Sequence, residues 1–394
     1  MDLFDKCHNF TEAQEAIKEG WYPYFKAIQS GAGTSVMIDG QKFVMIGSNN
    51  YLGLTQHPKV LEAAKKAIDQ YGSGCTGSRF LNGTLDLHEE LEARLAKFMN
   101  REAALTFSTG FQTNLGVISS LVGKDDLLFA DRDNHASLVD GSRLAFGKTV
   151  KYRHADMDDL ERVLKMNKDV PGKLIAADGV YSMGGDILNL PRVVELAQKY
   201  NAKIYVDDAH SIGVLGAHGR GTAEHYGLED KVDLVMGTFS KSFASLGGFV
   251  AGDRVVVDYI KHHARSLIFS ASMPPSAVAA TIAALDIIES EPERRERLWA
   301  ITNRMGKAYR EMGFNTGNSQ TPVIPIIIGD DMTTFKFWQE LWKSRIFANP
   351  VISPAVPPGM SLLRTSYMAT HTNEEMDYVL ETFRKIGKDL GVIE

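Results

Sequence analysis

Two short segments hold residue types that could do chemistry together. Asp207-Asp208-Ala209-His210 closes one apolar run, and Gly237-Thr238-Phe239-Ser240-Lys241-Ser242 closes the next, about thirty residues on. A carboxylate at one strand end and a lysine in a Ser/Thr/Gly-rich turn at another are the two parts that a pyridoxal 5'-phosphate (PLP) site needs. The acid keeps the pyridine nitrogen protonated so that the ring draws electrons, and the lysine forms a Schiff base and later moves protons. The hydroxyls and backbone N–H groups around Lys241 suit a phosphate. Singly, each residue has a plainer reading. Most lysines are solvated surface charges, and an aspartate at a strand end is usually a turn or cap residue. The combination Asp-x-x-His with Gly-Thr-x-Ser-Lys-Ser is far more specific than either part.

The elements that must position these residues follow from periodicity. Segments 59–72 and 85–99 carry helical apolar spacing. Short apolar runs follow at 126–131, 173–183, 202–210, 232–240 and 247–252, most of them separated by helical stretches such as 135–146 and 191–200. This alternation predicts an α/β fold, a mainly parallel sheet with helices on both faces. The last two runs are joined by a short Gly/Ser segment, so an antiparallel pair is expected to end the sheet. In such sheets ligands bind at the carboxyl ends of the strands, where both segments lie, beside a third end near Tyr181 to Asp186. From about Ser276 the texture changes to a long helical stretch (276–312), a strand at 322–329, a helix near 333–345, two strands in FANPVISP and MSLLRTSY, and a helix from about Asn373. The expected division is an N-terminal arm (1–45), a large domain (46–275) and a smaller C-terminal α+β domain (276–394), packed as one body.

Composition narrows the class. The 394 residues are 44% hydrophobic and 23% charged, with a formal net charge of -6. That is ordinary globular chemistry, with no field to draw nucleic acid. Two cysteines, Cys7 and Cys75, are too few for a disulfide framework or a Cys-rich zinc site and fit a reducing, cytoplasmic setting. No signal peptide or membrane span is evident.

Over nearly its whole length, from about Tyr22, the chain resembles the α-oxoamine synthases, fold-type I PLP enzymes. They condense an amino acid with an acyl-CoA, in most members with loss of CO2. The landmarks are Gly47 to Leu54, Ser108-Thr109-Gly110-Phe111, Asp207 to His210, and Gly237 to Gly248. The resemblance implies a seven-stranded-type sheet, PLP on Lys241, Asp207 at the pyridine nitrogen, and His210 at the phenolic oxygen. It places His135 over the ring and near the substrate carboxylate. Gly110 and Phe111 would offer amides to the phosphate, with Thr238 and Ser240 beside them. Ser270 and Ala271 would reach the phosphate from a second subunit of a homodimer with shared active sites. Arg364 and Asn49 would bind the amino-acid carboxylate. Gly77 to Thr84 and Phe239 to Phe249 look most like bacterial members that join L-serine to palmitoyl-CoA, giving 3-ketosphinganine, CoA and CO2 in the first step of sphingolipid synthesis. Members using glycine or alanine remain the alternative, because one hydroxymethyl is read by pocket shape. Peripheral contact with the inner face of a membrane is left open.

Some of these roles have support from the residues alone. Arg364 stands in the apolar run Met360 to Leu363, where an unpaired cation is costly, so a carboxylate partner is expected, from the substrate or from the protein. His135 reads equally well as a helix N-terminal turn residue, and His210 as a satisfied core histidine. Gly72 to Gly77 spells G-x-G-x-x-G but follows a helix, not a strand, so the dinucleotide reading lacks its context. His262-His263 has neither the spacing nor the neighbours of a metal site, and no metal is expected. Cys75 reads as a small packed residue. A non-catalytic subunit is disfavoured by the retained Lys241 and Asp207, and an aminotransferase by the full-length match.

Overall fold

The computed structural model describes residues 2–394. The chain opens with α1 (Asp5–His8) and α2 (Glu12–Lys18), then the hairpin β1 (Ser35–Ile38) and β2 (Gln41–Met45). Helices α3 (Pro58–Tyr71) and α4 (Asp86–Phe98) follow. The alternating region runs β3 (Ala103–Phe107), α5 (Gly110–Leu121), β4 (Asp126–Asp131), α6 (Ala136–Leu144), β5 (Lys148–Tyr152), α7 (Met157–Met166) and β6 (Gly172–Asp178). It continues with α8 (Leu190–Tyr200), β7 (Lys203–Asp207), α9 (Thr222–His225), β8 (Leu234–Thr238) and β9 (Gly248–Gly252). Next are the helices α10 (Arg254–His263), α11 (Arg265–Ile268), α12 (Pro275–Ser290) and α13 (Pro292–Glu311). The last part is β10 (Val323–Gly329), α14 (Asp331–Lys343), β11 (Ile346–Phe347), β12 (Asn349–Val351), β13 (Ser361–Ser366) and α15 (Asn373–Asp389).

The central sheet has seven strands in the order β3-β9-β8-β7-β6-β4-β5. From β8 to β5 every pairing is parallel. β9 runs antiparallel to β8, as the short Gly/Ser connection requires, but it does not end the sheet. β3 pairs with its other edge, also antiparallel. That explains why all of β9 is buried. Alternate residues of each central strand feed different cores, because successive side chains leave opposite faces. Ile204 and Val206 of β7 join one apolar cluster, and Tyr205 joins the cluster on the other face.

The long helical stretch after Ser276 is two helices. Pro292 sits in the first turn of α13, where its missing N–H costs nothing, but its ring cannot continue α12. α12 itself packs against α3 and α4, so it lies on the large unit although it follows the expected boundary at 275. The run FANPVISP divides between two small sheets: β11 pairs parallel with β2, and β12 pairs antiparallel with β13. β2 thus ties the N-terminal segment to the C-terminal unit, whose own core gathers Ile46, Met305, Phe337, Leu363 and Phe383.

Candidate active site

The carboxyl ends of β6, β7 and β8 open on a cavity of about 260 Å³, bounded also by the N-termini of α5 and α6. Its walls include Gly110, Phe111, His135, Asp178, Asp207, His210, Thr238, Ser240 and Lys241. A second cavity of about 630 Å³ adjoins it, lined by Asn49, Arg364 and the 349–355 segment, and sharing His135, Ser182, His210 and Lys241 with the first. Nearly all of the residues singled out from the sequence therefore meet in one place. Ser270 and Ala271 do not line either cavity within this chain. Ser270 Oγ accepts from Gln112 Nε2 at 3.0 Å, and the Ala271 carbonyl accepts from Ser108 Oγ.

Asp207, at the end of β7, is 4% exposed. Its Oδ1 accepts the Ala209 amide at 3.0 Å, and its Oδ2 accepts Asn114 Nδ2 at 2.6 Å. Burial pushes the Lys241 ammonium down to a pKa of about 8, with Asp207 pulling it up and Arg364 adding to the depression. An amine so tuned is neutral for a useful fraction of the time near pH 7, which imine formation and proton abstraction both require. His210 is buried, and its Nδ1 lies 2.7 Å from the Tyr51 hydroxyl, leaving Nε2 for the cavity. Burial, then the charges of Lys241 and Arg364, hold this imidazole well below its ordinary pKa, so it is neutral.

His135 takes the helix-start position that one of its sequence readings expects. It is the N-cap of α6, its Nδ1 accepting the Ser137 amide at 3.3 Å, and its ring also walls both cavities. Burial lowers its pKa too, Asp207 opposing and Lys241 adding. Asp178, at the end of β6, accepts the His135 amide at 3.1 Å. Burial and the neighbouring Asp207 raise its pKa well above the carboxylate range.

The end of the cavity at α5 is built on close approach. The amides of Gly110 and Phe111 open α5 and have no intrahelical acceptor. A Cβ on Gly110 would stand 2.8 Å from Thr238 Oγ1 and 2.9 Å from Met236 Cε, so only glycine brings this helix end so near β8. Thr238 Oγ1 lies 3.0 Å from Ser240 Oγ. Open amides at a twelve-residue helix start, paired hydroxyls and a depressed lysine amine opposite a buried carboxylate together fit PLP.

Arg364, on β13, is 5% exposed. Its Nε donates to the Ser182 carbonyl at 2.7 Å and its Nη2 to Asn49 Oδ1 at 2.9 Å. Among the described residues no carboxylate pairs with it, so the alternative of a structural ion pair does not hold. Three contributors escaped the reading of the sequence, Tyr51, Asn114 and Asp178, and Ser182 lay in the third strand end without a role. Tyr51 stood inside a quoted landmark without a role. Asn114 lies in mid-helix, where nothing in the sequence marks it. The two decoys are absorbed locally: His262 and His263 each place Nδ1 2.8 Å from the carbonyl four residues back, and the Gly77 carbonyl accepts the Ser272 amide at 2.9 Å.

A seven-stranded sheet with helices on both faces, carrying this lysine and this carboxylate, defines a fold-type I PLP-dependent enzyme. The chain belongs to the aminotransferase class I and II family, whose model matches residues 41–383. Within that family its relatives are the α-oxoamine synthases. It is 52% identical to the serine palmitoyltransferase of Sphingobacterium spiritivorum, over 99% of this chain and 98% of that one. It is 43% identical to the 8-amino-7-oxononanoate synthase of Thermoanaerobacter pseudethanolicus, over 96% of each. A solved structure of SPT with PLP as internal aldimine superposes with a TM-score of 0.96 at 37% identity, covering both chains fully.

Proposed function

We propose that this protein joins L-serine to palmitoyl-CoA with loss of CO2, giving 3-ketosphinganine and free CoA. The observation that carries this reading is the 52% identity to a serine palmitoyltransferase over 99% of the chain, together with an Arg364 guanidinium that has no carboxylate partner among the described residues and lines the larger cavity with Lys241. PLP, when bound, supplies an electron sink for a carbanion at the amino-acid Cα. Lys241 would hold the cofactor, and its Nζ would take the Cα proton of the amino acid. Asp207, oriented by Asn114 and the Ala209 amide, would pair with the pyridine nitrogen. Neutral His210 would offer Nε2 to the phenolic oxygen. Gly110, Phe111, Thr238 and Ser240 hold the phosphate. Arg364 and Asn49 fix the amino-acid carboxylate, and His135 covers the opposite face and excludes water.

The identity to a serine palmitoyltransferase supports serine and a long acyl chain. So do the side chains of Tyr24, Met183, Val351 and Ile352 around the larger cavity, which give an acyl chain apolar contact. The proposal extends to a cytoplasmic homodimer in which Ser270 and Ala271 complete the phosphate site of the second copy. It includes the division into arm, large domain and small domain. Among the described residues no helix is long and apolar enough to cross a membrane, and contact with a bilayer surface would come through the acyl substrate. The deciding experiment measures CoA release with serine, alanine and glycine against short and long acyl-CoAs. Serine with palmitoyl-CoA should give the highest kcat/KM. A preference for alanine or glycine would move the assignment to another member of the family.

A further inference from the structure

The carbonyl that orients Arg364 belongs to a tight turn, 180–187. Val180 and Ile187 close it as an antiparallel bridge. Inside it, the Tyr181 amide donates to the Asp186 carbonyl at 3.0 Å and the Gly185 amide to the Tyr181 carbonyl at 2.8 Å. Its far side is fastened by the Gly185 carbonyl, which accepts the Gln320 amide at 3.0 Å and Thr321 Oγ1 at 2.9 Å. Gly185 has φ +69°, and a Cβ there would fall 2.1 Å from the Val323 carbonyl. Besides the Arg364 Nε on the Ser182 carbonyl, His154, which follows β5, also reaches the turn. Its Nε2 lies 3.1 Å from Asp186 Oδ2 and its Nδ1 3.0 Å from Asp131 Oδ1, with the Tyr181 ring edge-on at 4.4 Å.

Asp131 closes β4 and organises the turn that carries His135. Its oxygens also accept the Asp133 amide at 2.9 Å and the Ala155 amide at 3.0 Å. One imidazole therefore joins the turn of His135 to the turn of Ser182. A neutral imidazole has a single N–H and would leave one of the two carboxylates facing a lone pair. Burial works against the charge, but the hydrogen bonds of Asp131 and Asp186 outweigh it and raise the pKa to about 10, so both ring N–H groups persist at neutral pH.

We propose that His154 is a positioning residue, an imidazolium strut that spaces these two turns and, through the Ser182 carbonyl, aims the Arg364 guanidinium at the amino-acid carboxylate. The proposal rests on the carboxylate-binding role given to Arg364. His154 touches neither the cofactor cavity nor the larger one beside it. Its ring borders a third cavity of about 450 Å³ and is 30% exposed, so a small molecule can take its place.

The test uses the PLP-loaded enzyme and serine titration, followed by absorbance and by calorimetry, before any acyl-CoA is added. His154→Ala should weaken serine binding roughly tenfold and raise the serine KM by a similar factor. PLP content, kcat and the KM for palmitoyl-CoA should stay within about twofold. Added imidazole should restore serine affinity, and His154→Gln, which keeps one donor, should fall between parent and alanine variant, or serve alone if His154→Ala does not fold. In an Arg364→Ala background, His154→Ala should cost little more, because the strut acts through the arginine. Additive losses, or a fall in PLP content and kcat at unchanged serine affinity, would overturn the strut. Unchanged serine affinity in Arg364→Ala alone would instead sink the carboxylate site on which it rests. A parent enzyme that prefers another amino acid moves only the substrate, and the same titrations are run with that amino acid.

Discussion

Asn114, in the middle of α5, donates through one nitrogen to both Asp207 Oδ2, at 2.6 Å, and Ser137 Oγ, at 2.7 Å. Its own oxygen accepts the Tyr205 hydroxyl at 2.6 Å, which fixes the amide the right way round. Ser137, having accepted from Asn114, is left to donate to His135 Nδ1 at 2.7 Å. A single buried amide thus orders Asp207 directly and His135 through Ser137.

Asn114→Ala should therefore weaken PLP binding by about tenfold or more, since a buried hydrogen bond to a charged group is worth about 1.5–3 kcal/mol. Equilibrium dialysis of PLP against parent and variant measures this. An unchanged dissociation constant would show that Asp207 needs no such support.

Asp208 should behave quite differently from its neighbour. It points away from the cavity and accepts the Thr222 amide at 3.0 Å and the Thr222 hydroxyl at 2.6 Å. Burial raises its pKa to about 6, above the unfolded value near 3.8. A carboxyl raised in this direction contributes stability below pH 4 and loses it as pH rises through about 6, by up to about 3 kcal/mol. Asp208→Asn should keep PLP affinity near the parent's and show a smaller fall in Tm between pH 5 and pH 8. Severe loss of PLP in Asp208→Asn, with Asp207→Asn unaffected, would reverse the two roles.

The depressed amine of Lys241 is open to direct titration. In the apo protein, the rate at which PLP and borohydride label Lys241 should rise with a midpoint near pH 8. Asp207 stabilises the ammonium and Arg364 destabilises it, so Asp207→Asn should move the midpoint down and Arg364→Leu should move it up. A midpoint near 10.5 in the parent would mean that the lysine is solvated. Lys241→Ala should show no turnover.

Arg364→Ala should raise the serine KM by roughly tenfold to a hundredfold, the range expected for a charge-assisted bidentate contact, at little change in PLP affinity. Arg364→Lys should recover only a small part, because an ammonium keeps the charge and loses the planar fork. A loosely held carboxylate also loosens the choice of which Cα bond breaks, so transamination should increase in both variants. Parent-like serine binding in the lysine variant would show that charge alone suffices.

Much of this site was legible in the residues because it is local. Gly110 and Asn49 were implied only by the family resemblance, whereas Asp207, His210, Thr238, Ser240 and Lys241 end or follow strands whose apolar runs are buried on both faces. Those are short-range constraints, written in a few consecutive positions. The antiparallel turn into β9 was legible for the same reason, since a short Gly/Ser connection cannot make a parallel crossover. That β3 covers β9 was not, because the partner comes from well over a hundred residues earlier, and pairing across such a span leaves no periodic mark. The break at Pro292 could have been read, since proline ends a helix wherever it falls. Asn114, Tyr51, Ser182 and His154 could not. Each sits in an ordinary helix, turn or loop, and each acquires its role only when a distant element brings up a carboxylate, an imidazole or a guanidinium. Local rules thus determined which residues could do chemistry and at which strand ends. The tertiary structure alone decided how they are aimed, because in a buried site orientation comes from hydrogen bonds between segments far apart in the chain.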